Sequence, residues 1–369
     1  PPGRARPGAP RAPRRHRPPG AVPRPTTPAP HARPAGTRRT GTRARRAGVV
    51  TTGLASALVA LLTLGACSGP SGAEDLRLTT TPQDESAAES PAAPAAPAKC
   101  TDPLASYAPE GALPGPDALP GGSTMAAIRD RGTLVVGVSA DTLLMGARNP
   151  LSGQIEGFDI DVLHEVSRAI FGDPDRLQFR VITSGQRLEV LENGEVDLVA
   201  RAFTINCERW ESIAFSAEYY HAGQKVLVTR DSTANGIADL EGQRVCAPEG
   251  TTTLTRLEQF SGIEPVPATT HTQCLVLFQQ GKVDAITGDD TILAGFAAQD
   301  PYAKVVGEAI SDEPYGIGIP AQNVDMVRFV NGVLEQMKAD GRWAAIYGEW
   351  LGGLGPAPTP PAAVYGRTP

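Results

Sequence analysis

Two short stretches of this chain carry side chains whose types and order suit a small zwitterion. The first reads Ala202-Phe203-Thr204-Ile205-Asn206-Cys207-Glu208-Arg209 and is followed by Ala214-Phe215-Ser216-Ala217-Glu218-Tyr219-Tyr220. It places a Thr hydroxyl and a guanidinium where a strand ends and a helix starts, beside free backbone N–H groups. That set fits a carboxylate, because the planar Arg fork matches two oxygens where Lys would offer a point charge. Alone, Arg209 would more simply pair with Glu208 or Glu211 on a surface. Thr204 and the trailing Phe-Ser-x-x-Tyr-Tyr favour the clamp. The second stretch is Gly288-Asp289-Asp290-Thr291-Ile292-Leu293-Ala294-Gly295, after a short apolar strand over 283–287. One of its carboxylates can hold an ammonium while the other caps the helix that follows. A third helix start, Gly250-Thr251-Thr252, offers hydroxyls and free N–H groups that suit either simple capping or an anion. Together these stretches describe a cleft for a free amino acid. No Ser-His-Asp order or metal-ligand spacing accompanies them, so no catalysis, cofactor or metal is expected.

These residues need strands and helices to bring them together. From 124 onward the pattern alternates. Residues 133–138 read as a buried strand, and Phe158, Ile160, Leu163, Val166 and Ile170 fall at helical spacing. Further strands are expected at 177–182 and 196–200, with a short helix over 188–193. Strands alternating with helices imply a parallel sheet with helices on its faces. Residues 219–228 form a longer extended run, a candidate crossover. A second α/β series then covers 244–299, and 315–319 reads as a return strand before helices at 324–340 and 343–350. Two crossings make an α/β fold of two lobes with a hinge, and a ligand would sit in the crevice at the strand ends. The expected division is a leader over 1–66, a flexible tether over 67–123, lobe one over 124–220, lobe two over 221–314, a return segment over 315–352 and a Pro-rich tail without a core over 353–369.

The leader is a different kind of sequence. Residues 1–46 carry 13 Arg and no acidic residue. A modest apolar run over 54–64 follows Arg43, Arg45 and Arg46, as in an export signal. It ends in Leu64-Gly65-Ala66-Cys67, which is similar to the lipobox of bacterial lipoproteins and marks Cys67 for lipidation. Without residues 1–66 the chain keeps 21 basic against 40 acidic residues, which argues against nucleic acid as a partner. Residues 68–98, rich in Ala, Pro, Ser and Thr, read as the flexible part of the tether. Four Cys remain, enough for two disulfides in an oxidising compartment with three possible connectivities. Cys246–Cys274 would lie inside lobe two, and Cys100–Cys207 would tie the tether to lobe one.

From about Met125 to Leu351 these motifs, in this order, resemble the polar-amino-acid solute-binding proteins of ABC importers, family 3, and most of all their glutamate/aspartate-binding members. The resemblance implies the two-lobed type II periplasmic-binding-protein fold and a lipid-anchored, monomeric protein on the outer face of the cell membrane. It would deliver glutamate, aspartate or their amides to a membrane permease. The resemblance gives Arg209 and Thr204 the α-carboxylate, Asp290 the ammonium, with the Ala202 carbonyl completing the cage, and Ser184, Arg187 and His271 the side chain. Arg148 and Arg201 are further cationic candidates for a side-chain carboxylate. The chain departs from the family over 139–149, which lacks a Pro-Phe pair and leaves Leu143, Leu144 or Met145 as the platform. Ser139 also stands where acidic-ligand binders carry a basic residue. Two other readings use the same cleft. One is a sensor lipoprotein signalling through a membrane receptor to a cytoplasmic kinase, suggested by the tail over 360–367. The other is a dehydratase on the same fold.

Overall fold

The computed structural model describes residues 100–368. The leader, Cys67 and the tether up to 99 lie outside the described residues. In chain order the first series is β1 (Leu134–Val138), α1 (Phe158–Phe171), β2 (Leu177–Val181), α2 (Arg187–Glu192), β3 (Leu198–Val199), α3 (Cys207–Trp210) and β4 (Ile213–Phe215). The second is β5 (Tyr220–Thr229), β6 (Arg244–Pro248), α4 (Thr252–Leu257), β7 (Glu264–Ala268), α5 (His271–Gln279), β8 (Ala285–Asp289), α6 (Asp290–Gln299) and β9 (Ala303–Val306). The chain returns through β10 (Asp312–Tyr315) and β11 (Gly318–Pro320) and finishes with α7 (Val324–Asp340) and α8 (Arg342–Trp350).

Lobe one is built on a sheet of order β2-β1-β3-β11-β4, and lobe two on β7-β6-β8-β5-β9, with β10 added alongside β5. Each sheet is parallel only in its βα part: β1 pairs parallel with β2 and β3, and β6 with β7 and β8. The strands by which the chain leaves and re-enters a lobe, β5 and β11, run antiparallel to their neighbours, so the sheets are mixed rather than wholly parallel. β1 is a run of Val and Leu buried almost throughout, as a central strand flanked by helices requires. α1 buries Phe158, Ile160, Val162, Leu163, Val166 and Ile170 toward that sheet.

The hinge is a two-stranded ladder. β5 and β10 pair antiparallel from Tyr220 opposite Tyr315 to Gly223 opposite Asp312. The segment that carries the clamp leans on the same strand: Thr204 bridges to Tyr315, and the Ile205 N–H donates to the Pro314 carbonyl at 2.7 Å. Helices α7 and α8 fold back on lobe one. Trp343 is fully buried there, its indole N–H donating to the Tyr219 carbonyl at 2.7 Å and its ring meeting Phe158 edge-on at 6.2 Å.

The end of the tether and the tail both dock on lobe one. Residues 100–123 lie on lobe one, where Tyr107 and Leu119 are buried and Asn331 of α7 donates to the Tyr107 carbonyl at 2.8 Å. The tail pairs with them: Val364 and Tyr365 run parallel to Ala105 and Ser106. Arg367 then places its guanidinium 3.6 Å over the Trp210 ring. Neither segment has a core of its own, but each borrows apolar surface and backbone partners from lobe one and from the other. Disulfides join Cys100 to Cys207 and Cys246 to Cys274, with Cα–Cα separations of 5.4 and 5.5 Å. Among the described residues no helix is long and apolar enough to cross a membrane.

Candidate ligand-binding cleft

The two lobes meet over a deep recess lined by Arg187, Ala202 and Thr204 from lobe one and by Thr252, His271 and Asp289 from lobe two. An outer chamber of about 430 Å³ opens from it past Arg209, Gly250 and Glu313. A larger depression of about 680 Å³ lies elsewhere, on lobe two alone, with Asp231, Asp239 and Asp284 and no basic side chain in its lining. It suits a carboxylate ligand poorly.

Arg187 opens α2 and is buried. Its guanidinium donates to the carbonyls of Ser184 (2.8 Å), Arg201 (3.3 Å), Ala202 (3.0 Å) and, across the cleft, Gly250 (2.8 Å). Arg209 sits in α3, a single turn capped by Asn206, whose side chain accepts the Arg209 backbone N–H at 2.9 Å. Its guanidinium donates to the Thr204 carbonyl and reaches Gly250 at 3.4 Å. Both guanidiniums lie over the Phe203 ring, 4.4 and 4.9 Å from its centroid. Phe203 is fully buried beneath them, so it supports the two cations from behind the recess. Burial lowers the pKa of Arg187 well below the usual range, helped by Arg209 and Arg201 nearby. Burial likewise lowers that of Arg209 to about 10, against the opposing pull of Glu313 and Asp289. Two desolvated cations with mostly neutral acceptors favour an anion.

On lobe two the carboxylate that faces the recess is Asp289, not Asp290. Asp289 ends β8, and its Oδ2 accepts the Tyr315 hydroxyl at 2.6 Å. Its Oδ1 is buried and has no partner. Burial, with Glu313 adding to it, raises its pKa to about 8. Asp290 is the first residue of α6, where it accepts the Thr291 N–H at 2.8 Å, and it does not line the recess. Asp289 is also the N-cap position of α6, but its side chain makes no capping bond there and is turned to the recess instead. The strand ladder carries residue 289 to the cleft, and the helix start turns 290 away. His271 begins α5, is buried, and its Nδ1 is likewise unpartnered. Burial, reinforced by Arg201, lowers its pKa to about 3, so its imidazole is neutral.

The remaining candidates separate. Thr251 and Thr252 both line the recess: Thr252 places its hydroxyl on Glu313 at 2.6 Å, and Thr251 caps α4 and donates to the Pro248 carbonyl. Ala202 adopts φ +42°, rare for a residue with a Cβ. Its N–H donates to Asp159 at 2.9 Å, and its carbonyl accepts from Arg187 at 3.0 Å with a second lone pair to spare. Ser184 is buried and accepts from Arg201, which also donates to Ile182 and approaches Asp141 at 3.9 Å. Arg201 therefore braces the site from behind. Arg148 lies on an exposed hairpin, donating to the Gly153 carbonyl at 2.6 Å, and is not part of the cleft. Glu313 and Phe203 join the site unannounced. Nothing in the pattern around Glu313 singles it out, because its place depends on β10 crossing the clamp.

The lobes are shut in this structure. The Thr272 hydroxyl of lobe two donates to the Asp141 carbonyl of lobe one at 2.8 Å. A Cβ on Gly295 of α6 would lie 2.5 Å from the Leu143 carbonyl oxygen. Two α/β lobes on a paired-strand hinge, closed over buried cations and an orphaned carboxylate, define a binding protein of the type II periplasmic class. The chain belongs to the bacterial extracellular solute-binding proteins, family 3, whose pattern it matches over residues 134–353. It is similar to the ABC transporter glutamine-binding protein GlnH of Bacillus subtilis, with 35% identity over 230 residues, 62% of this chain and 84% of that one. It is also similar to the glutamate-binding protein GluB of Corynebacterium glutamicum, with 33% identity over 63% of this chain and 83% of that one. Among solved structures, an ancestral arginine-binding protein bound to glutamine superposes with a TM-score of 0.57 and 30% identity, covering 60% of this chain and 99% of that one.

Proposed function

We propose that this protein binds a free polar amino acid, glutamate, aspartate or one of their amides, outside the cytoplasm and delivers it to an ABC permease. The observation that carries the reading is the pair of orphaned atoms, Asp289 Oδ1 and His271 Nδ1, lining the same buried recess as the Arg187 guanidinium. Buried polar atoms without partners are costly, and an amino acid supplies both. Its ammonium bonds Asp289, and its side-chain oxygen lies against His271 and Arg187. Arg209, with the Thr204 and Thr252 hydroxyls, takes the α-carboxylate. The relatives named for glutamine and glutamate support this ligand class. Binding energy is used to shift the lobes toward closure, and no bond is made or broken. Calorimetry against the twenty amino acids is the test: heat with glutamate, aspartate, glutamine or asparagine is expected, and silence with all four would sink the reading.

Acylation of Cys67 would hold the protein at the membrane, with the tether giving the lobes reach to the permease. Metabolic labelling with a fatty acid should mark the wild type and not Cys67→Ala. The same cleft would also serve a sensor, and the docked tail, clasped to 105–106 by Arg367, is the feature that favours it. A receptor contact made by that strap would be lost on deleting residues 356–369 while ligand binding persisted.

A further inference from the structure

A single carboxylate oxygen ties the two lobes together at the clamp. Glu313 Oε2 accepts the Thr204 hydroxyl of lobe one at 2.7 Å and the Thr252 hydroxyl of lobe two at 2.6 Å. Its Oε1 takes the Ser311 hydroxyl at 2.7 Å. The side chain is 2% exposed and issues from β10, a strand of the hinge. Each threonine hydroxyl has one proton to give. Both protons go to Glu313, so neither remains for a ligand carboxylate. Glu313 also stands first among the carboxylates that favour the charged form of Arg209. In this arrangement the recess behind the threonines measures about 10 Å³. That is at most the space of one water, far less than an amino acid needs.

We infer that Glu313 is an internal stand-in for the ligand's carboxylate: it engages the Thr204–Thr252 hydroxyl pair and counter-charges Arg209 in the closed conformation, and it must release both threonines before a ligand is clamped. The inference deepens the function proposed above and rests on it for the identity of the ligand. It makes Glu313 a determinant of affinity and of ligand class. Only a molecule bringing its own carboxylate can replace both hydroxyl acceptors and the counter-charge together. An amine lacking one leaves the clamp occupied. Because Glu313 belongs to the hinge strand, its release is felt by the ladder through which both lobes are joined.

The test compares wild type, Glu313→Gln and Ser311→Ala as full-length protein. Gln keeps the shape but has one uncharged acceptor, and Ser311→Ala loosens Glu313 without touching the clamp. Hydrogen exchange is read without ligand at residues 183–187 and 250–254, which meet across the cleft. Calorimetry is read with glutamine. Glu313→Gln should exchange faster at both segments and bind glutamine at least about fivefold more tightly, since a charge-assisted competitor has gone. Ser311→Ala should move both readouts the same way by less. Unchanged or slower exchange in Glu313→Gln, or weaker glutamine binding, overturns the inference. Should Glu313→Gln fail to fold, Ser311→Ala decides by the same criteria. If wild type binds no amino acid, the proposed function fails, while the exchange rates still decide whether Glu313 holds the cleft shut.

Discussion

Gly250 of lobe two lies against Gly185 of lobe one so closely that a Cβ on Gly250 would sit 2.6 Å from the Gly185 Cα. Gly250 also holds φ +69°, which a side chain would strain. The neighbour here is backbone and cannot swing aside. Gly250→Ala should therefore weaken ligand binding, by about tenfold or more, by blocking closure. Gly194 is the control, since it has φ +66° and open space around its missing Cβ. Gly194→Ala should lower the melting temperature slightly, through about 1 kcal/mol of backbone strain, and leave affinity unchanged. Equal affinity losses in the two would assign the effect to strain rather than to contact between lobes.

Removing the clamp and removing the selector should look different. Arg209→Ala should abolish binding of every amino acid, at a cost of about 3–5 kcal/mol, because it leaves a desolvated carboxylate without its charged partner. Arg187→Ala also loses the bond to Gly250 across the cleft, so every affinity should fall, with a greater loss for glutamate and aspartate than for their amides. Competition calorimetry separates the two patterns. A uniform loss in Arg187→Ala would leave that residue with a closing role only.

Asp289 and Asp290 offer a test of position within one dipeptide. Asp289→Asn should cost binding by at least about a hundredfold, since a buried charge pair is lost. Asp290→Asn should be nearly silent for affinity and lower stability by no more than about 1 kcal/mol, the worth of an acidic residue in the first turn of a helix. Titration of both variants with glutamine decides the matter, and the reverse ranking would restore Asp290 to the ligand.

Asp289 also sets a pH dependence. Burial holds its pKa near 8 before ligand arrives, so at neutral pH it is largely protonated. An ammonium beside it favours the ionised form, so binding expels a proton and affinity should rise with pH from about 6 until it levels near 8. Calorimetry in buffers of different ionisation heat should register the released proton at pH 7. A flat profile, or proton uptake, would contradict the pairing of Asp289 with the ammonium.

Cys246 lies in β6 and Cys274 in α5, the helix whose first residue is His271. The bond closes a loop within lobe two and should stabilise it by about 2–4 kcal/mol. It holds the strand leading to Gly250 beside the helix bearing His271. A double Cys→Ala variant should melt earlier and bind more weakly, chiefly through slower association, as the two halves of the recess lose their preset spacing. Unaltered association kinetics would confine the bond to a stabilising role.

Local chemistry determined much of this protein. Alternating strands and helices specified two α/β lobes, because each βα unit must bury its apolar face on the next. The order of Thr204, Arg209 and the Asp pair pointed to the cleft that Thr204, Arg209 and Asp289 line, since these groups lie within a few residues of strand ends. Other features required the chain to fold back on itself. Which of Asp289 and Asp290 faces the recess depends on where β8 stops pairing with β5, a matter of register between strands some sixty residues apart in sequence. Arg148 and Arg201 read alike as spare cations. Only the hairpin carries one into solvent, and only the packing behind Ser184 buries the other. Glu313 stands more than a hundred residues from Thr204 and sixty-one from Thr252, yet bonds both. No pattern along the chain encodes that meeting. It follows from a hinge strand passing between the lobes, where long-range geometry decides which polar groups share a desolvated space.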